Sequence, residues 1–184
     1  SGGALKLAAD AGATAAIYHA AGAHALSVLT EPEHFGGAIE DLRIAREAAP
    51  VPALRKDFIV DPYQIAESRL AGADAVLLIV AALGARTGEF LGLAAAAGLD
   101  ALVEVHDEAE LDLALDAGAE IVGVNNRNLT DLSIDLGVFE RLAPRVPAGV
   151  SKVAESGVET RADAARMRRA GADALLVGTA LMRA

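Results

Sequence analysis

Four stretches of this chain repeat one pattern: AGAHALSVLT from Ala21, AGADAVLLIV from Ala71, AGAEIVGVNN from Ala117 and AGADALLVGT from Ala170. Internal similarity of this kind restricts the fold more than any single motif, because every copy must be buried against the same kind of neighbour. A helix-like run precedes each copy. The glycine stands where that helix must stop, and it takes the left-handed C-cap conformation without a Cβ clash. A short buried-strand pattern follows. Three further strand-like segments, VPALRK, DALVEVH and VSKVAES, lie between the copies, with helix-length segments at Pro62–Leu70, Glu108–Ala117 and Arg161–Ala170. Continuous apolar strands that alternate with helices predict a parallel sheet covered on both faces.

Two βα units per repeat is the pattern of a (β/α)8 TIM barrel built from quarter-barrels. The count predicts about seven parallel strands rather than eight. Later copies run charged strand, helix, AGA strand. The first opens on a helix-like segment, Ala4 to Ala20, with no charged strand before it, and GTALMRA stops where a helix would begin. The expectation is therefore one TIM-barrel domain over residues 1–184, incomplete, without the N-terminal strand and the C-terminal helix. Its two open sheet edges invite self-association. A seven-strand doubly wound open sheet is the alternative that the same alternation allows.

Composition narrows the function. Of the 184 residues 53% are hydrophobic but only 3% aromatic, which suits alanine- and glycine-rich helices packed closely on a sheet. The absence of cysteine excludes a disulfide framework and thiolate metal sites. With no apolar run of spanning length and no basic-then-apolar leader, the expectation is a cytoplasmic protein with no membrane contact. A net charge of −10 argues against nucleic acid, which needs a basic face, but not against a small phosphorylated substrate.

The charges fall unevenly. The three inserted strands end in ionisable groups: Lys56, Glu104, and Lys152 with Glu155. The AGA strands end in Thr30, Asn125 and Gly178–Thr179. In a parallel barrel all strand carboxyl ends meet at one rim, so a lysine and glutamates gathered there can do acid–base chemistry. Strand ends that merely reach solvent would look the same one at a time. Ser156 and Gly157 in ESGVET, and Gly178 and Thr179 in VGTALM, stand after the last two strands, the usual phosphate position of this fold. No metal is expected, since His19, His24, His34 and His106 have no ligand spacing. His106 reads as a surface histidine, HFGG as a turn, and RADAARMRRA as the solvated side of an outer helix.

Taken in order, SVLTE, HFGG, LRKDFIVDPYQI, GADAVLLIVAAL, ALVEVHDEAEL, IVGVNNRNL, VAESGV and GADALLVGTALM closely resemble the indole-3-glycerol-phosphate synthase family of tryptophan biosynthesis. The resemblance implies a cofactor-independent (β/α)8 lyase. It acts on a carboxyphenylamino-deoxyribulose 5-phosphate, with loss of carbon dioxide and water. It further implies Lys56 as the general acid, Glu104 as acid–base partner in the dehydration, and Asn125 and Glu155 as polar groups around the reacting ribulose chain. Arg127 and Ser156 lie beside them, and Phe58 walls the anthranilate ring. Gly157, Gly178, Thr179 and Ser1 hold the phosphate, Ser1 as the last serine of the family's Ser-Pro-Ser loop. Asp57 or a site glutamate would keep Lys56 charged. Two other readings compete: a non-catalytic barrel fragment that binds phosphate ligands weakly, and a related sugar-phosphate isomerase, which the lysine of RKDF disfavours.

Overall fold

A computed structural model describes residues 10–183. The elements run α1 (Ala11–Ala20), β1 (Leu26–Leu29), α2 (Ile39–Ala48), β2 (Ala53–Lys56), α3 (Pro62–Leu70), β3 (Ala75–Ile79), α4 (Val80–Leu83), α5 (Thr87–Ala96) and β4 (Asp100–Val105). They continue with α6 (Glu108–Asp116), β5 (Ile121–Asn125), α7 (Gly137–Leu142), β6 (Ser151–Glu155), α8 (Arg161–Arg169), β7 (Ala174–Leu176) and α9 (Thr179–Arg183). All seven strands foreseen in the repeat pattern are present among the described residues. The described residues divide into two compact units, one holding 10–78 with Glu89–Ala101 and the other holding Ile79–Gly88 with 102–183.

Within the first unit β1, β2 and β3 form a parallel ladder in chain order, with Leu29 beside Lys56 and Leu54 beside Ala75. Ala15, Leu26, Ala45 and Ala49 make a tight cluster against Tyr18, Val28 and Val51. Small side chains let the helices approach: a Cβ on Gly12 would lie 3.1 Å from Ile44 Cγ2. Helix α1 starts at Ala11 because the Asp10 carboxylate accepts the Ala13 N–H at 3.0 Å. The earlier part of the Ala4–Ala20 segment lies outside the described residues. Helix α3 has a complete capping box. Asp61 accepts the Tyr63 N–H, Gln64 Oε1 accepts the Asp61 N–H, and Pro62 takes the first position.

In the second unit β4, β5, β6 and β7 are parallel, again in chain order. The register sets Glu104 beside Gly123, and Asn125 beside Glu155, at the carboxyl ends. Val103, Val105, Val122 and Val124 are fully buried, as parallel strands covered on both faces require.

The repeat explains itself in both units. Gly22, Gly72, Gly118 and Gly171 have φ of 93°, 89°, 86° and 97°, the left-handed corner that ends each helix. The aspartate of AGAD does more than turn the chain. Asp74 accepts the Ala53 N–H and Asp173 the Lys152 N–H, each at 2.8 Å, so the motif clasps the start of the preceding strand. One expectation fails here. Lys152 is the second residue of β6, not its end, and its ammonium lies 3.5 Å from Asp173. It belongs to the amino-terminal rim, because a parallel strand carries only its last residues to the catalytic side.

Candidate active site

The first unit holds the end of β2 and the loop after β1. Lys56 is the last residue of β2 and half-buried. Its neighbours Arg55 and Asp57 point to the opposite face, since side chains alternate along a strand. Asp57 is engaged there. One carboxylate oxygen takes Arg55 at 3.0 and 3.2 Å and the Thr30 hydroxyl at 2.6 Å, and the other accepts the Phe58 N–H. The Asp57 carboxylate is thus paired with Arg55.

Phe58 is 40% exposed and stacks on Phe35, with ring centres 6.1 Å apart, while His34 meets it edge-on at 6.3 Å. HFGG is a turn, as expected, but one that builds an aromatic wall. Glu31 holds it by accepting the N–H groups of Glu33, His34 and Phe35. Desolvation opposes ionisation, yet these donors prevail and keep the Glu31 carboxyl below its ordinary range. Gly37 permits the fold-back, because a Cβ there would strike the Leu29 carbonyl. A pocket of about 530 Å³ opens here, lined by Thr30, Glu31, His34, Arg55, Asp57 and Phe58 among others. Ligand atoms of Glu31, Glu33 and His34 come within 4.8 Å of one another, but Glu31 already serves the loop N–H groups, so no metal site is assigned.

The second unit gathers four polar side chains at the ends of β4, β5 and β6. Glu104, Asn125, Asn126 and Glu155 are each at most 7% exposed. Burying such groups costs several kcal/mol unless they are matched, so a purely structural sheet would carry valine here. Asn125 is oriented at both ends of its amide: Nδ2 donates to Glu104 Oε1 at 3.1 Å, and Oδ1 accepts the Arg127 N–H at 3.0 Å. Arg127 sends its guanidinium to the Leu132 carbonyl at 3.2 Å and is half-buried. Asn126 was not foreseen. Its Nδ2 donates to the carbonyls of Glu155 and Ser156, and its Oδ1 accepts the Phe139 N–H. It thereby fixes Ser156, which holds a left-handed φ of 62° at a cost of about 1 kcal/mol. Gly157 follows at φ 80°, packed so closely on Ile134 and Leu136 that a side chain has no room. Gly178 is exposed with open space beside it, and Thr179 begins α9. Ser1 lies outside the described residues.

Gly123 faces the same buried carboxylate. A Cβ on it would overlap Glu155 Oε1 and lie 3.1 Å from both Glu155 Cδ and Leu102 Cδ1. Gly123→Ala is expected to displace Glu155 and to cost about 1–3 kcal/mol of stability in urea unfolding. A variant as stable as the parent would contradict that packing.

His106 is the other correction. Its side chain is only 14% exposed, not a surface group. Nδ1 lies 2.9 Å from Glu110, and Nε2 lies 3.3 Å from Glu104 without the alignment of a hydrogen bond. Burial pulls its pKa down, but the two carboxylates outweigh burial and raise it to about 9. A raised imidazole pKa means that this contribution to stability is complete below about pH 6.5 and fades as pH rises through about 9. Its upper bound is about 3 kcal/mol. Thermal unfolding from pH 6 to pH 10 should show that decline, and His106→Asn should flatten it. The signal was present in the sequence: Asp107 and Glu110 form the D-x-x-E pattern of a helix start, which folds Glu110 back over His106.

Parallel βα units whose strand ends carry buried carboxylates and amides define a class, the (β/α)-barrel enzymes. The model of the indole-3-glycerol phosphate synthase family matches residues 1–184, and the chain belongs to that family, whose members are carboxy-lyases of tryptophan biosynthesis. It is 55% identical to the indole-3-glycerol phosphate synthase of Parafrankia sp. (strain EAN1pec) over 98% of this chain and 68% of that protein. It is 54% identical to indole-3-glycerol phosphate synthase 2 of Streptomyces coelicolor over 92% of this chain and 66% of that protein. The chain thus spans about two thirds of the length of these relatives. The N-acetylmannosamine-6-phosphate 2-epimerase of Clostridium perfringens has the same fold, with a TM-score of 0.75 over 92% of this chain and 78% of its own at 15% identity. That likeness shows the fold alone.

Proposed function

We propose that the chain carries the reaction for which its family is named: decarboxylating ring closure of 1-(2-carboxyphenylamino)-1-deoxyribulose 5-phosphate to indole-3-glycerol phosphate. The observation that supports this best is the buried Glu104–Asn125 contact beside Glu155, a set of polar groups that a sheet core has no reason to hold. In this reading Lys56 is the general acid. It gives a proton to the ribulose carbonyl oxygen as the ring carbon attacks, and the carboxylate leaves as carbon dioxide. The resulting hydroxyl departs as water with a second proton, while Glu104 takes the proton whose loss makes the pyrrole ring aromatic. Asn125 holds Glu104, and Glu155, Arg127 and Ser156 hold the ribulose chain. The exposed Phe58, backed by Phe35, walls the anthranilate ring. The phosphate belongs to Ser1, Gly157, Gly178 and Thr179. Each step of this reaction is a proton transfer or a charge stabilisation, chemistry that amino-acid side chains can supply.

We further read residues 1–184 as one domain working in the cytoplasm on a small phosphorylated substrate. No described helix is long and apolar enough to cross a membrane. The fluorescence of the indole product, followed after mixing the 184-residue chain with substrate, tests the proposal. Turnover is the expected result. Silence with substrate demonstrably bound would instead favour a non-catalytic barrel.

A further inference from the structure

We propose that His106 is a positioning residue for Glu104: its imidazolium, braced by Glu110, holds the Glu104 carboxylate ionised and oriented for proton transfer. The inference rests on the acid–base role proposed above for Glu104. Glu104 is the penultimate residue of β4 and His106 the first residue beyond it, and His106 Nε2 lies 3.3 Å from Glu104 Oε1. Glu110, in the first turn of α6, uses a single oxygen to accept both the His106 backbone N–H at 2.8 Å and ring Nδ1 at 2.9 Å. Main chain and ring are thereby tied to one carboxylate, which leaves Nε2 3.3 Å from Glu104 Oε1.

The ring's protonation follows from geometry. Nδ1 faces a carboxylate and Nε2 faces a carboxylate, and neither carboxylate has a proton to give when ionised. A neutral imidazole has one N–H and one lone pair, so one nitrogen would meet Glu104 or Glu110 lone pair to lone pair. Only the doubly protonated ring suits both. Glu104 of β4 and Glu110 of α6 are the charged groups that act on it, and Asn125 of β5 brings a neutral amide to Glu104. The 3.3 Å contact to Glu104 is charge facing charge. Catalytic contacts of this length tighten when substrate fills a site. A cation fixed beside a buried carboxylate lowers its hold on a proton, so Glu104 stays a base in more acid solution than it would alone. Glu110 acts through the ring.

Titration of the imidazole by NMR in the 184-residue chain tests the clamp without any need for turnover, with the signal assigned by its loss in His106→Asn. The expected midpoint is about 9. It should fall toward the ordinary histidine range in both Glu104→Gln and Glu110→Gln. A midpoint near 6.5 in the parent chain, or one unmoved by Glu104→Gln, would overturn the clamp. In turnover, Glu110→Gln and His106→Asn should move the acid limb of the kcat/KM profile to higher pH. A purely structural histidine would lower rates without moving that limb. If Glu104→Gln turns over normally, the catalytic reading of Glu104 fails while the NMR midpoint still judges the clamp. If Glu104→Gln is inactive and the midpoint ordinary, the clamp alone fails.

Discussion

Lys56→Ala should lower kcat by at least a hundredfold, on the order of what a single general acid contributes, with circular dichroism unchanged. The expectation rests on proton supply. Ring closure builds negative charge on a carbonyl oxygen, and later expels a hydroxyl that leaves only as water. Both events need a proton donor at one place, and Lys56 is the cation that the proposed reaction puts there. Position supports the reading: Lys56 ends β2, on the face opposite the Arg55–Asp57 pair. Lys56→Arg is expected to fail as well, because a guanidinium keeps the charge but does not release its proton at working pH. A single-turnover measurement separates chemistry from release. If Lys56→Ala retains more than about a tenth of the parent rate, the lysine is not the acid.

Arg55→Ala should be the most destabilising single change in the first unit, by about 3–5 kcal/mol in urea unfolding. Arg55 is buried and makes a full set of bonds: to Asp57 and Thr30, to Glu67 at 2.8 Å, to the Gln64 carbonyl and to the Ser68 hydroxyl. Its removal leaves the Asp57 carboxylate buried without its cation and undoes the tie between β2 and α3. Breaking a buried pair costs far more than the pair contributes. The double variant Arg55→Ala/Asp57→Ala should therefore recover part of the loss. A loss below about 1 kcal/mol for Arg55→Ala would show that the network is solvated. Because the same residues anchor the end of β2, kcat should also fall, by less than for Lys56→Ala.

These two residues stand side by side in ALRKD, yet the sequence singles out only one of them. Lys56 announced itself as a charge at the end of an apolar strand, in phase with Glu104 and Glu155. Arg55 gave no such sign, since apart from Asp57 its partners come from Thr30 and from α3. The same contrast recurs elsewhere. Asn125 ends an AGA strand and stands out in the sequence, while Asn126 beside it does not. Its partners Phe139, Glu155 and Ser156 are 13 or more positions away. Lys152 was assigned to the wrong rim because the motif SKVAES does not say where the strand begins; Asp173 does, by capturing the Lys152 N–H. His106 looked like a surface group because burial depends on what folds over it, here Glu110 from the next helix.

What the sequence alone determined is local or periodic. A glycine at each helix end, an apolar run after it and a capping pair before the next helix act through neighbours a few residues apart, and repetition made them unmistakable. Strand order and the placing of Glu104, Asn125 and Glu155 at carboxyl ends follow from that alternation. What only the tertiary structure decided is which distant polar groups are buried together: Arg55 with Thr30 and with Glu67 of α3, and Asn126 with Phe139, Glu155 and Ser156. Electrostatic energy depends on distance and desolvation, and both are set by chain segments that the sequence lists far apart.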